Sequence, residues 1–139
     1  METNKKLASM RQIHAAIDHL HKAELESGIT LASAAEGVLP DTEKPHLFQK
    51  IKKMADSFPA DSSGATKVNA LTNWTKHGTH ETASISEQDA IEVVTRAISK
   101  FVAIHGKQSK EMKTFSEWAI ERLQTGKSSN RTLPAFDAF

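Results

Sequence analysis

The strongest constraint on the fold lies in the second half of the chain, where apolar residues recur at helical spacing up to Gly106. They cover a face too wide for a helix that lies on a protein surface, so other elements must cover this helix on several sides. Ser84-Ile85-Ser86-Glu87 predicts a capping box at its start, and Gly106 ends it. We therefore expect it to be the central member of an all-α bundle. Its apolar positions are Ala90, Ile91, Val94, Ala97, Ile98, Phe101, Val102 and Ile104.

Two amphipathic helices are predicted at the N-terminus. The first runs from Asn4 to His21 and the second from about Glu24 to Val38, with a tight turn around Lys22–Glu24. No Gly or Pro marks this turn, so a single long helix of roughly 50 Å is the alternative. The apolar stripe of the first helix contains Leu7, Met10, Ile13, Ile17 and Leu20.

Three more helices complete the predicted bundle. A third helix begins near Pro45, the turn-rich loop Phe58–Gly64 follows it, and a fourth helix spans about Ala65 to His77. A sixth helix begins after Ser109. We expect one domain of about six helices over residues 1–125 and a tail over residues 126–139. Phe136 and Phe139 would be exposed on a free tail, so we expect them to dock onto the domain or a second subunit.

Composition excludes several classes of protein. The 139 residues contain 18 Lys and Arg against 17 Asp and Glu, so a net charge of +1 provides no broad basic field for nucleic acid. Without cysteine there is no disulfide framework or thiolate metal site. No apolar run approaches the roughly 20 residues of a membrane span, and no signal peptide is evident. From these absences we expect a cytoplasmic protein. Glycine-rich phosphate loops, zinc-protease motifs and nucleophile elbows are also absent, and we expect no cofactor.

Chemically capable side chains concentrate in Val68–Glu81, at the end of the fourth predicted helix. Cations in the last turn of a helix are also favoured by the helix dipole alone, so ordinary capping is the alternative interpretation. Gly78 is suited to the C′ position that closes the helix. The polar and aromatic residues concerned are Asn73, Trp74, Lys76, His77, His80 and Glu81.

A carboxylate is predicted to be partly buried on the second helix. Leu25, Ile29 and Ala32 share one face, and Glu36 is the next position on it. A buried carboxylate requires a cation or several hydrogen-bond donors. Arg96 lies at the margin of the apolar face of the central helix and can reach either Glu36 or water.

A metal site on the first helix is an alternative interpretation of three potential ligands. His14, Asp18 and His21 lie at i, i+4 and i+7 and share a face. Metal sites usually draw ligands from several elements, so histidines that border the core are the favoured explanation. We predict no metal.

Three short motifs resemble the HEPN superfamily, named for higher eukaryotes and prokaryotes nucleotide-binding domains. They are Ile29–Glu36, Asn73–His77 and Arg96–Ile98, within a similarity that covers about Lys6 to Gln124. The resemblance implies a helical bundle that dimerises. Many members are metal-independent ribonucleases of toxin–antitoxin and phage-defence systems.

The resemblance also implies catalytic positions. The usual signature is an Arg, often followed by a polar residue, with a His four to six residues beyond the Arg. His77 matches the histidine and Asn73 the polar position, whereas Thr72 occupies the place of the arginine. Cleavage leaves negative charge on the phosphate, which threonine cannot neutralise; Lys76 can share the face and supply a cation.

We therefore expect a polar cleft that accepts a phosphate, nucleotide or RNA end. In this hypothesis Lys76 and Arg96 hold the anion, Asn73 orients it, His77 acts as acid or base, and Glu36 fixes the cation or the histidine. A second copy of the chain and an antitoxin-like protein are the expected partners. The alternative is a non-catalytic, partner-binding bundle whose polar residues form an internal network.

Overall fold

A computed structural model describes residues 1–40, 63–78 and 80–125. Within them the chain forms five helices and no strand, which confirms the all-α class. No helix in these ranges is both long and apolar enough to cross a membrane. The third predicted helix and the tail with Phe136 and Phe139 lie outside the described residues, so the six-helix count and the division at residue 125 stay predictions. The helices are α1 (Lys5–His21), α2 (Leu25–Val38), α3 (Ser63–His77), α4 (Glu87–His105) and α5 (Lys110–Gln124).

Helix α4 packs against all four other described helices, as its wide apolar face predicts. The N-cap is Ser86: its hydroxyl accepts from the Asp89 amide at 3.1 Å, and the Asp89 carboxylate accepts from the Ser86 amide at 2.9 Å. The capping box predicted at Ser84 and Glu87 is therefore wrong by two residues. Gly106 ends the helix with a φ of 76°, in the left-handed region.

Small residues allow α1 and α2 to approach closely. Gly28 is buried against α1, and a Cβ atom at this position would lie 3.2 Å from the Ala16 carbonyl oxygen. Ala16, Ala32 and Ala35 are fully buried in the same core. This close packing leaves Glu36, the next residue on α2, at the edge of the core rather than in water.

The turn between α1 and α2 is closed by an alanine in the left-handed region. Ala23 has a φ of 61°, its amide donates to the Leu20 carbonyl at 3.0 Å, and the Glu24 amide donates to the His19 carbonyl at 2.9 Å. This pair of bonds is the Schellman arrangement that normally uses glycine. The predicted turn is therefore confirmed and a single long helix is excluded. An L-residue is strained in this conformation, because its Cβ crowds the backbone.

Replacement of Ala23 by glycine should relieve that strain. We expect Ala23→Gly to raise the free energy of unfolding by about 0.5–1 kcal/mol, measured by urea unfolding. The matched control is Ala103→Gly, on the exposed face of α4, which should lower it by about 1 kcal/mol through lost helix propensity. Equal losses in both variants would show that the left-handed turn carries no strain.

His21, at the end of α1, is buried in an aromatic cluster with α5. Its ring lies 5.1 Å from Trp118 and 6.1 Å from Phe115, measured between ring centroids. Burial disfavours the charged imidazole and lowers the pKa of His21 from 6.5 to about 3. The native protein therefore keeps this histidine neutral over most of the acidic range.

This burial should make stability depend on pH. The unfolded chain binds a proton at His21 below pH 6.5, whereas the native protein does so only near pH 3. The contribution of the neutral, buried His21 to the free energy of unfolding is complete above pH 6.5. It decreases as the pH falls toward 3, by up to about 1.4 kcal/mol per pH unit. In urea unfolding at several pH values, His21→Phe should remove this slope. The control His80→Gln, at an exposed position, should retain it; a parallel loss in wild type and His21→Phe would contradict the assignment.

Candidate functional site

A polar cleft of about 220 Å³ lies where α2, α3 and α4 meet, open to solvent. Each helix contributes side chains from one of its faces, so the cleft exists only when the bundle is closed. Three basic side chains line it against one carboxylate. Its lining residues are Ser33, Glu36 and Gly37 from α2, Thr72 and Lys76 from α3, and Arg96 and Lys100 from α4.

An ion pair joins α4 to α2 at one wall of the cleft. The Arg96 guanidinium nitrogen Nη2 donates to Oε1 of Glu36 at 3.1 Å, and both side chains are about one quarter exposed, at 26% and 25%. The sequence allowed Arg96 to reach Glu36 or water, and the structure contains the contact with Glu36. Partial burial explains the contact, because a carboxylate that is largely removed from water is costly without a cation.

Lys100 provides a second link between the same helices. Its Nζ donates to the backbone carbonyl oxygen of Glu36 at 2.8 Å. That carbonyl lies in the last turn of α2, where helix geometry leaves carbonyls without intrahelical donors. Lys100 is not among the site residues predicted from the sequence. The available signal was its spacing from Arg96, since residues four apart share a helix face.

A contact between two hydroxyl groups joins α3 to α2. The Ser33 and Thr72 oxygens lie 3.1 Å apart, within hydrogen-bond distance. Lys76, one turn after Thr72, therefore also faces the cleft. Its side chain is exposed and forms no ion pair within the described part of the chain. Arg96 and Lys100 are engaged in contacts between α2 and α4, whereas Lys76 is not.

The structure separates the five predicted site residues into two groups. Glu36, Lys76 and Arg96 line one cleft, whereas Asn73 and His77 are exposed on α3 and are not among its lining residues. Of the five side chains expected in one cleft, the structure brings these three together. The reason is helical geometry, because each residue turns about 100° from the previous one, and Asn73 and His77 follow the two α3 positions that face the cleft.

The electrostatics of the cleft favour an anion. Lys76, Arg96 and Lys100 provide three positive charges and Glu36 one negative charge. The C-terminal turns of α2 and α3 reduce this excess through their partial negative charges, but each amounts to roughly half a charge. The result is a small polar site with net positive charge, hydroxyl groups and no imidazole among its lining residues. Such a site can bind an anionic group.

The three potential metal ligands of α1 have different partners. His14 Nε2 lies 2.7 Å from the Ser109 hydroxyl, Asp18 pairs with Lys22 at 2.9 Å, and His21 is buried beneath α5. Among the residues that the structure describes, no three His, Cys, Asp or Glu side chains are placed to hold a metal ion. The three residues at i, i+4 and i+7 of α1 therefore take part in packing and in contacts at helix ends.

Comparison with known proteins adds no family assignment. No model of a known protein family matches the chain, and no curated protein or solved structure matches it significantly. The HEPN resemblance therefore remains a prediction that rests on three short motifs.

The ion pair at the cleft should contribute measurably to stability. In a double-mutant cycle of Glu36→Gln and Arg96→Met, we expect a coupling free energy of about 1 kcal/mol, because both groups are partly desolvated. Urea unfolding at low and high salt provides the measurement, with weaker coupling at high salt. The control cycle uses the exposed Asp18–Lys22 pair of α1, which should couple less strongly. Coupling at Glu36–Arg96 no larger than in the control would contradict a structural role.

Proposed function

We propose that this chain is an HEPN-like interaction module whose cleft binds the phosphate group of a nucleotide or of an RNA end. The supporting observation is the convergence of Lys76, Arg96 and Lys100 against the single carboxylate of Glu36. A phosphate carries up to two negative charges and several acceptor oxygens, so it matches an excess of cationic donors. The small volume suits one phosphate group and not a folded RNA.

The individual side chains supply complementary contacts in this proposal. Arg96 carries five N–H donors, and its bond to Glu36 uses only part of them, so the remaining donors can bind phosphate oxygens. The exposed ammonium of Lys76 adds a mobile charge at the mouth of the cleft. The hydroxyls of Ser33 and Thr72 can reorient from each other toward the ligand.

The geometry favours binding over strand cleavage. A metal-independent ribonuclease needs a proton-transfer group beside the phosphate and a cation that neutralises the developing charge. His77 and Asn73 do not line the cleft, and Thr72 replaces the arginine of the family signature. We therefore propose a binding role, in which His77 has no part in chemistry at this phosphate position.

The family resemblance adds a biological setting to the proposal. HEPN proteins act in toxin–antitoxin and phage-defence systems and commonly dimerise. We propose a homodimer of this chain, with an antitoxin-like protein as a further partner. The molar mass of the purified protein in solution distinguishes a dimer from a monomer.

A structural role is the second candidate function, and a specific observation favours it. Arg96 binds the Glu36 carboxylate and Lys100 binds the Glu36 carbonyl, so α4 holds the end of α2 through one residue. In this alternative the polar residues form an internal network of a partner-binding bundle. Lys76 separates the two functions, because it lines the cleft but does not hold α2 to α4.

Lys76→Gln should weaken phosphate binding without destabilising the fold. We expect the affinity for a 5′-phosphorylated RNA oligonucleotide, measured by fluorescence anisotropy, to fall roughly three- to tenfold, through loss of one cation–phosphate contact. The unphosphorylated oligonucleotide should bind more weakly than the phosphorylated one. The matched control is Lys113→Gln, an exposed lysine of α5 outside the cleft, which should bind like wild type.

Equal affinities for wild type, Lys76→Gln and Lys113→Gln would favour the structural alternative. The same samples, incubated with labelled RNA with and without chelator, test for chemistry. We expect no cleavage that depends on His77. Cleavage that survives the chelator and disappears in His77→Ala would contradict the binding-only proposal and establish a ribonuclease.

A further inference from the structure

A second and larger groove, of about 460 Å³, lies on the other side of the α2–α3 contact. It is bordered by the end of α1, the first half of α2 and the end of α3, whereas the cationic cleft lies toward the end of α2. Its size falls within the range of small-molecule sites. The proposed phosphate function does not use any of its residues.

Trp74 forms a fixed aromatic wall of this groove. Its indole N–H donates to the backbone carbonyl of His80 at 2.7 Å, so a residue outside α3 holds the ring. This bond fixes the orientation of the half-buried ring and engages its single donor. Leu31 of α2 adds an aliphatic surface to the same groove. The Trp74 ring and Leu31 therefore form a surface on which a flat apolar group can pack.

Two hydroxyl groups of the groove present acceptors. The Thr30 hydroxyl donates to the Glu26 carbonyl at 2.8 Å, and the Thr75 hydroxyl donates to the Thr72 carbonyl at 2.8 Å. With their hydrogens engaged, both hydroxyl oxygens present lone pairs. A ligand that donates several hydrogen bonds is therefore favoured.

The charge of the groove points to the same kind of ligand. The Glu26 carboxylate is exposed and forms no ion pair with any described residue. No Lys or Arg lines the groove, and the His19 imidazole that borders it already lies 2.8 Å from the Glu24 carboxylate. The N-terminus of α2 and the C-terminus of α3 both border it, and their opposite partial charges largely offset each other. One uncompensated carboxylate remains, so a single positive charge is the electrostatic complement.

We propose that this groove binds a primary ammonium group carried on a flat apolar body, such as an arylalkylamine. The ammonium donates to the Glu26 carboxylate and to the hydroxyl oxygens of Thr30 and Thr75. The apolar body packs on the Trp74 ring and Leu31, where the indole face also attracts the positive charge. The site is independent of the phosphate cleft and opposite to it in sign.

The probe is 2-phenylethylamine, with 2-phenylethanol as a neutral analogue of matched size and shape. The two indole N–H signals of Trp74 and Trp118 in a ¹H–¹⁵N correlation spectrum provide the readout, assigned with Trp118→Phe. We expect the Trp74 signal to shift with a saturable, roughly millimolar dissociation constant for the amine. The alcohol should bind about fivefold more weakly or worse, because it lacks the charge.

Glu26→Gln tests the carboxylate, and the matched control is Glu117→Gln, at an exposed position on α5. We expect Glu26→Gln to weaken binding of the amine about fivefold and Glu117→Gln to leave it unchanged. Both variants should keep the helical circular-dichroism spectrum of wild type. The proposal is overturned if the Trp74 signal shows no saturable shift, if amine and alcohol bind equally, or if Glu26→Gln binds the amine like wild type.

Discussion

The partly buried carboxylate of Glu36 is the constraint on which the cleft depends. Small residues bring α2 so close to α1 that the end of α2 sits at the edge of the core, where Glu36 requires a cation. Arg96 of α4 meets this requirement, and Lys100, one turn later, binds the backbone carbonyl of Glu36. The pairing orients α2 against the central helix and concentrates positive charge beside α3. Stability and the proposed phosphate site therefore arise from the same contacts.

Much of the fold follows from periodicity, and the exceptions have local physical causes. The wide apolar face of α4 predicts its central place, and Gly106 predicts its end. Ser84 and Ser86 both precede an acidic residue by three positions, so the sequence contains two overlapping capping boxes and packing selects the later one. Ala23 closes the α1–α2 turn without glycine, so the usual signal is missing and only the hydrogen bonds of the folded chain establish it.

The sequence predicts which residues of the candidate site share a helix face, but it does not predict the rest of the site. Glu36 follows from its phase on α2, and Lys76 follows from sharing a face with Thr72. Adjacent positions such as His77 were grouped with them because nearness in sequence does not reveal which way a side chain points. The acceptor character of the second groove was not accessible from sequence, because it depends on which partner each Thr30 and Thr75 hydroxyl already has.

Helix α3 separates two sites of opposite charge. The proposed phosphate-binding function depends on the cationic cleft. A crystal structure grown with a 5′-mononucleotide tests that function most directly. We predict phosphate oxygens within hydrogen-bond distance of Lys76 and Arg96, with the Arg96–Glu36 pair retained. A nucleotide bound elsewhere, or a cleft that stays without phosphate at saturating nucleotide, would contradict it and leave these cations with a structural role alone.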